Sequence, residues 1–167
     1  HHENIYVIKN SISEYPKTIR KGINCKNKYV FLHLSNLSRS KGVFDALSAF
    51  YLFSLMPSRF DNELWIAGPW VNDEERLQFL KLVTHFSLNN KIRLFGKVYG
   101  PDKWKIFLKA DAFLFPSMYE KECFPGVLLE AMASSLPCIS YNHSAIPDII
   151  KQGENGFYVD KGDIKSL

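Results

Sequence analysis

Two glutamates, Glu122 and Glu130, stand on either side of a Pro-Gly step in the segment ECFPGVLLEA. A carboxylate is costly to place in an apolar segment, so the pair needs an explanation. Because a carboxylate only accepts hydrogen bonds, two natural partners are a vicinal diol and a sugar hydroxyl. The spacing allows both side chains to face one cleft. It leaves equal room for a simpler interpretation, in which Glu122 only favours a helix dipole and Glu130 is a surface residue.

The Pro-Gly step indicates the start of a helix. Pro125 fits the first helical position, where its missing N–H costs nothing. The N–H groups of Gly126 and Val127 would then point out of the helix start. We expect them to be directed toward an anion.

A second candidate anion site is the segment SNLSRSKG, residues 35–42. Lys41 and Gly42 lie where a loop becomes a helix; the glycine permits close backbone approach and the lysine adds a mobile charge. Together they suit a diphosphate, although the segment has neither the Walker pattern nor the G-x-G-x-x-G fingerprint. The alternative is that Arg39 and Lys41 are solvated loop charges.

The elements that must position these residues alternate along the chain. Short apolar runs predict strands within residues 28–35, 63–68, 91–96, 111–117, 137–142 and 156–160, and helical spacing predicts helices within residues 41–55, 73–86, 102–110, 126–134 and 146–152. Strands that are apolar on both faces and separated by helices predict a parallel sheet covered on two sides. The fold class is therefore α/β, a doubly wound, Rossmann-like domain whose ligand binds outside the carboxyl ends of the strands.

Composition narrows the classes of function. The chain has 167 residues with a net charge of +4, which suits an anionic ligand or an anionic membrane surface but is too weak to indicate nucleic acid. Its three cysteines show no metal-ligand spacing, so we expect reduced thiols and a cytoplasmic protein. No signal peptide is visible, and no apolar run approaches the roughly 20 residues that span a bilayer.

The other candidate residues favour ordinary structural roles. His33 lies inside a strand and is expected to be a satisfied histidine rather than a ligand, and His85 is expected on a helix surface. No histidine or cysteine cluster has zinc spacing, and the G-x-S-x-G pattern of a hydrolase is absent. DKWKIFLKADAFLF, residues 102–115, predicts a helix that packs its apolar side on the sheet with its lysines in water, in preference to a membrane-surface helix.

A family resemblance covers most of residues 28–160. The segment YEKECFPGVLLEAMASSLPCISYNHSAIPDIIKQGENGFYVD resembles the signature region of retaining glycosyltransferases of the GT-B fold, family 4. SNLSRSKGVFDALSAF resembles the lysine-glycine segment of that family, and IRLFGKV resembles its base-binding strand end. YVIKNS, residues 6–11, is similar to its interdomain stretch.

The resemblance implies a role for each matching residue. Glu122 would hold the donor sugar and Lys41 would contact the diphosphate, so both are candidate catalytic residues. Glu130 would bind the ribose hydroxyls of a nucleotide sugar, and no metal or other cofactor would be required. The remaining donor-binding positions are Asn36, Arg39, Lys97, Val98, Phe124, Gly126 and Val127, of which Lys97 and Val98 would read the base through their backbone groups.

The chain also departs from the family pattern. Asn36 stands where the family has an arginine, and Arg39 is the nearby candidate to replace it. Pro125 and Ser135 stand where glycine is usual. The loop NHSAIPD, residues 142–148, carries larger residues than usual and an aspartate in place of a glutamate. These departures bear on the donor sugar and on the strength of catalysis, not on the fold.

Residues 28–167 are thus expected to be the C-terminal, nucleotide-sugar-binding half of a GT-B enzyme. Residues 1–27 are expected to be an interdomain linker or N-terminal extension, with a tag remnant at residues 1–2, and the N-terminal acceptor domain is expected to be absent from this chain. The enzyme would transfer a sugar, with retention, to a glycan or lipid-linked acceptor in polysaccharide biosynthesis. It would act in the cytoplasm, with peripheral contact to the inner face of the membrane as a further expectation, and the isolated domain would be inactive.

Two alternatives stay open. One is a non-catalytic nucleotide-sugar-binding domain, which Asn36 and the altered loop favour. The other is a flavodoxin-like interaction module. An acidic phosphoacceptor pocket at the first strand ends would support the second alternative, but those ends read LSN and IAG.

Overall fold

A parallel sheet of six strands forms the frame of the protein, as seen in a computed structural model that describes residues 11–12 and 28–167. The strands are β1 (Lys28–Leu34), β2 (Asp61–Ala67), β3 (Ile92–Gly96), β4 (Ala112–Phe115), β5 (Cys138–Asn142) and β6 (Gly156–Asp160). The helices are α1 (Val43–Ser54), α2 (Asp73–His85), α3 (Gly100–Lys109), α4 (Gly126–Ala133) and α5 (Ile146–Ile149). The expected linker, with most of the interdomain stretch YVIKNS, lies outside the described residues except at residues 11–12.

The strand order is β3-β2-β1-β4-β5-β6, so the doubly wound prediction is confirmed. β1 pairs along its whole length with β2 and, on its other edge, with β4, where Phe31 is opposite Ala112. The chain therefore builds outward in one direction from β1 and in the other from β4. This reversal between β1 and β4 is where an open parallel sheet binds its ligand.

Alternating side chains of the strands build a core on each face of the sheet. Trp65 and Ala67 of β2 belong to the cluster that includes residues of α3, α4 and α5. Leu64 and Ile66 belong to the cluster that includes residues of α1 and α2. Successive side chains of one strand thus point alternately into two separate cores, as expected for a sheet covered on both faces.

The bounds of helices α3 and α5 differ from the predicted ones for clear structural reasons. Helix α3 begins at Gly100 because Pro101 fits its first turn, and its buried Trp104, Ile106 and Phe107 confirm that it packs on the sheet. Helix α5 ends at Ile149, not at residue 152, since Ile150 adopts an extended conformation. The described residues contain no helix that is both long and apolar enough to cross a membrane.

Gly42 is required for the loop before α1 to meet the end of β4. Its φ of 81° is left-handed, and a Cβ at this position would lie 1.9 Å from the carbonyl oxygen of Pro116. The predicted close approach at Gly42 is therefore made to the protein's own backbone. It brings the segment that carries Lys41 against the segment that follows β4.

Helices α2 and α4 end in the same backbone motif. At the end of α4, the N–H of Ser135 donates to the carbonyl of Met132 at 2.9 Å, and that of Leu136 donates to Ala131 at 3.0 Å. These two bonds define a Schellman motif, in which the residue with left-handed backbone angles, here called the turning residue, is usually glycine. Here the turning residue is Ser135, with a φ of 58°, and α2 uses Ser87 in the same way, with a φ of 57°.

We predict that Ser135→Gly stabilises the protein. A left-handed conformation costs an L-residue roughly 1–2 kcal/mol, and the greater freedom of glycine in the unfolded chain offsets part of that gain. The free energy of unfolding from a urea titration should rise by about 0.5–1 kcal/mol. Ser135→Ala is the matched control and should not be stabilised, because it keeps the Cβ. A Ser135→Gly variant that is no more stable than Ser135→Ala would contradict the strain at this residue.

Candidate functional site

A cavity of about 340 Å³ opens at the carboxyl ends of β1, β2 and β4, where the strand order reverses. Helix α1 follows β1 on one face of the sheet and α4 follows β4 on the other, so the two loops diverge and leave a crevice between them. Seven sequence-predicted site residues line this cavity: Asn36, Lys41, Val98, Glu122, Gly126, Val127 and Glu130.

Glu122 and Lys41 form one ion pair of the cavity, although they lie 81 residues apart in the chain. Lys41 Nζ is 2.7 Å from Glu122 Oε2, and the hydroxyl of Ser117 donates to the same oxygen at 2.8 Å. Lys41 Nζ also lies 4.1 Å from the centre of the Tyr119 ring. Only 7% of Glu122 is exposed and it pairs with Lys41, so it does more than favour a helix dipole.

Glu130 forms the second ion pair, with Lys103 of α3. Lys103 Nζ is 2.5 Å from Glu130 Oε1, and the two side chains are only 22% and 20% exposed. The interpretation of Glu130 as a free surface residue is therefore wrong. Sequence reasoning also missed Lys103, which was expected in water with Lys105 and Lys109. The one available signal was its place in the first turns of the helix that follows the base-binding segment.

The start of α4 faces the same cavity. Pro125 is the residue before the helix and not its first residue, because its ψ of 107° is extended. Gly126 and Val127 are then the first two helical residues, and neither has an intrahelical acceptor for its N–H group. A Cβ added to Gly126 would meet no atom within 4 Å, so packing within the protein does not require glycine there.

Three sequence-predicted residues do not line the cavity. Arg39 contacts α2 instead: its Nη2 donates to Gln78 at 2.6 Å, its N–H donates to Glu75, and its guanidinium lies 3.9 Å from the Phe44 ring centre. These contacts hold it away from the place of the family's arginine, which corrects the expectation that it fills that place.

Lys97 and Phe124 lie beside the cavity. Lys97 is exposed, whereas the next two residues of that loop, Val98 and Tyr99, line the site. Phe124 is half-buried against the core cluster shared with α4. Neither residue lines the cavity itself. The role expected of Lys97 uses its backbone groups, so it stays a prediction, as does the role of Phe124.

The unusual residues of the loop after β5 support the segment that carries Glu122. The hydroxyl of Ser144 donates to the carbonyl oxygen of Glu122, and the imidazole of His143 lies 3.0 Å from the carbonyl oxygen of Tyr119. Ser144 has a φ of 52°, the left-handed region that few non-glycine residues adopt. The departures of this loop from the family pattern thus pin the backbone around Glu122.

His33 is a satisfied buried histidine, as predicted. The ring lies 2.9 Å from the carbonyl of Leu114 through Nδ1 and 2.9 Å from the hydroxyl of Ser35 through Nε2. Burial lowers the pKa of His33 to about 4, against the smaller opposing effect of the bond to Leu114. The neutral ring therefore donates from Nδ1 and accepts from Ser35, which lines the cavity.

A second cavity, of about 330 Å³, has a different character. It lies between α1 and residues 164–167, and its wall includes Phe31, Phe50, Phe53 and Leu167. Among the described residues, Lys165 is the one charged residue in its wall. No sequence-predicted site residue lines it, and its apolar wall offers little to a charged ligand. In residues 11–12 and 28–167, no group of three His, Cys, Asp or Glu side chains could hold a metal ion.

Comparison with known proteins identifies the family of the chain. The family model described as glycosyl transferases group 1 matches residues 16–167. The chain is 30% identical over 138 residues to N-acetyl-alpha-D-glucosaminyl L-malate synthase of Bacillus anthracis, covering 83% of this chain and 34% of that protein. It is also 30% identical over 145 residues to UDP-Gal:alpha-D-GlcNAc-diphosphoundecaprenol alpha-1,3-galactosyltransferase of Escherichia coli, covering 85% and 35%.

The fold is shared with solved structures. The complex of Anabaena Alr3699/HepE with UDP-glucose superimposes with a TM-score of 0.74 at 20% identity, over 84% of this chain and 37% of that one. The chain thus spans about a third of the length of the curated relatives it matches. Since the family model covers nearly all of the sequence, the chain belongs to the glycosyl transferases group 1 family.

Proposed function

We propose that this chain supplies the donor site of a retaining family 4 glycosyltransferase, which transfers a sugar from a nucleotide sugar to an acceptor. The observation that carries the proposal is the joint placement of Glu122, Glu130 and Lys41. All three line one cavity at the strand-order reversal, beside the start of α4. The UDP-glucose bound to the Anabaena protein and the UDP-Gal in the name of the Escherichia coli relative support a nucleotide sugar as the ligand.

The cavity offers a different group to each part of such a donor. The diphosphate would lie between Lys41 and the free N–H groups of Gly126 and Val127, since both favour an anion. The donor sugar would lie at Glu122 and the ribose at Glu130, because carboxylates accept hydrogen bonds from hydroxyl groups. The base would lie toward Val98.

Catalysis would follow from stabilisation of the departing nucleoside diphosphate. Charge develops on the phosphate as the bond to the sugar breaks, and a preorganised cation favours that state. Lys41 is already held in place by Glu122 and the Tyr119 ring, so little reorganisation is needed. The chain's own groups would thus supply the charge for this step, and we propose that no metal or cofactor is needed.

The acceptor site would lie on a separate domain across the cleft. The curated relatives are about three times as long as the matched segment, which supports a further domain in the whole enzyme. A lipid-linked or polysaccharide glycan is the proposed acceptor, supported by the diphosphoundecaprenol in the name of the Escherichia coli relative. We further propose action at the cytoplasmic face of the membrane and no transfer by this domain alone.

A non-catalytic nucleotide-sugar-binding role is the second candidate. Its specific support is Asn36, which stands where the family has an arginine, together with the turn of Arg39 toward α2. Loss of one bond to a charged phosphate could weaken donor binding by about 1.5–3 kcal/mol. Measurable transfer by the complete enzyme would exclude this candidate, and the anomeric configuration of the product, read by NMR, would test retention.

Glu130→Ala should remove most of the affinity for nucleoside diphosphates. Calorimetric titration with UDP, GDP and ADP should show a loss of about tenfold or more, because two hydrogen bonds to a charged group are removed. Glu122→Ala should bind the same diphosphates but lose its preference among their sugar derivatives. The control is Glu154→Ala, whose side chain is 72% exposed and lies outside the cavity. Unchanged affinity in Glu130→Ala would contradict the ribose assignment.

EDTA should leave nucleotide binding intact. In the proposed site, Lys41 and the N–H groups at the start of α4 bind the diphosphate, and no residue is proposed to bind a metal ion. The same titration in the presence of EDTA, and again with added Mg²⁺ or Mn²⁺, should give the same affinity within about twofold, or 0.4 kcal/mol. A strict requirement for a divalent cation would contradict the proposal.

A further inference from the structure

Lys103 occupies a position in the cavity that no role of the proposed donor site explains. It lies on α3, whereas Glu130 lies on α4, and the two charged groups meet at 2.5 Å across 27 residues of sequence. About four fifths of each side chain is covered. The other close pair of α3, Lys105 with Asp102, is 69% and 75% exposed, so the burial of the Lys103 pair is not a general feature of this helix.

The contact uses only one oxygen of the Glu130 carboxylate. Oε1 receives Lys103, while Oε2 has no hydrogen-bond partner among the described residues. A side chain as long as glutamate loses rotamer freedom when it is fixed on a ligand, so a prior contact that fixes it reduces that cost. The geometry leaves an oriented carboxylate with one free acceptor oxygen.

Glu122, which lines the same cavity, shows the same arrangement. Its Oε2 receives Lys41 and Ser117, and its Oε1 has no partner in the described part of the chain. This free oxygen is not sealed in the core, because the one fully buried side-chain oxygen or nitrogen without a partner there is Oδ1 of Asn62. Each carboxylate is therefore anchored by a lysine through one oxygen, and the other oxygen is left for a ligand.

We propose that Lys103 is a positioning residue, which orients the carboxylate of Glu130 toward the two hydroxyls of a ribose. The ligand class that follows is a nucleoside diphosphate with an intact 2′,3′-diol, preferred over its deoxy counterpart. This inference rests on the proposed function, since it requires that Glu130 binds the ribose. A lysine that bound the phosphate directly, or one that blocked the site, would behave differently in the tests below.

The test measures binding of the 167-residue chain to UDP, GDP and ADP, to the 2′-deoxy form of the tightest of them, and to inorganic pyrophosphate. Lys103→Met removes the charge and keeps the apolar stem. It should weaken the ribonucleotide about tenfold, weaken the deoxynucleotide much less, and leave pyrophosphate unchanged. Lys103→Arg should restore most of the ribonucleotide affinity, since it can anchor the same oxygen.

The matched control is Lys105→Met, the same substitution at the exposed pair of the same helix, which should change none of these affinities. In a Glu130→Gln background, Lys103→Met should cause no further loss, because the two residues act through one contact. Thermal unfolding shows whether each variant is folded. If Lys103→Met is not folded, the nucleotide affinities of Lys103→Arg are measured in its place.

Each other outcome overturns the inference in its own way. Equal losses for pyrophosphate and the ribonucleotide would make Lys103 a phosphate ligand, and a gain of affinity in Lys103→Met would make it a block. If Glu130→Gln loses affinity while Lys103→Met does not, the proposed function stands and the positioning role is wrong. If the unmodified chain binds none of the three nucleotides, the proposed function itself fails.

Discussion

The parallel pairing of β1 with β4 is the constraint on which the site depends. Because these strands are paired, the loops that follow β1 and β4 begin side by side. The helices after these loops, α1 and α4, then pack on opposite faces of the sheet. Gly42 lets the first loop pack on the backbone of Pro116 just after β4, where any side chain would collide. As a result Lys41 meets Glu122, a residue 81 positions away. A cavity at this place is a consequence of topology before any functional side chain is considered.

The charges of the cavity are arranged as two anchored pairs. A surface ion pair contributes little to stability because water screens it, but these side chains are only 9–22% exposed and a lysine fixes each carboxylate. Each lysine keeps hydrogen-bond donors for a further partner, because an ammonium group has three N–H donors and its carboxylate does not use all of them. Lys41 can hold Glu122 and still donate to a phosphate. The pairs therefore set the direction of each group in advance, as the proposed stabilisation of a departing diphosphate requires.

The sequence predicted a doubly wound parallel sheet, the order of strands and helices along the chain, and the edge of the sheet at which the candidate residues meet. Those predictions succeed because apolar periodicity fixes the strands, and because the carboxyl ends of parallel strands share one edge of the sheet. Arg39 and Lys103 could not be placed in the same way. Both side chains are long and flexible, and each contacts a residue on a helix elsewhere in the chain. Arg39 contacts Gln78 on α2, and Lys103 contacts Glu130 on α4. The sequence does not show which helix face lies opposite them.

The most direct test of this account is a map of amide chemical shifts in the ¹⁵N-labelled chain as UDP, GDP or ADP is added. If this cavity is the donor site, the largest changes will fall on the amides of Gly126 and Val127, with further changes at Lys41 and Val98. The apolar cavity beside Phe50 and Leu167 should be unaffected. Changes centred on that second cavity, or none at the start of α4, would contradict the assignment of the donor site.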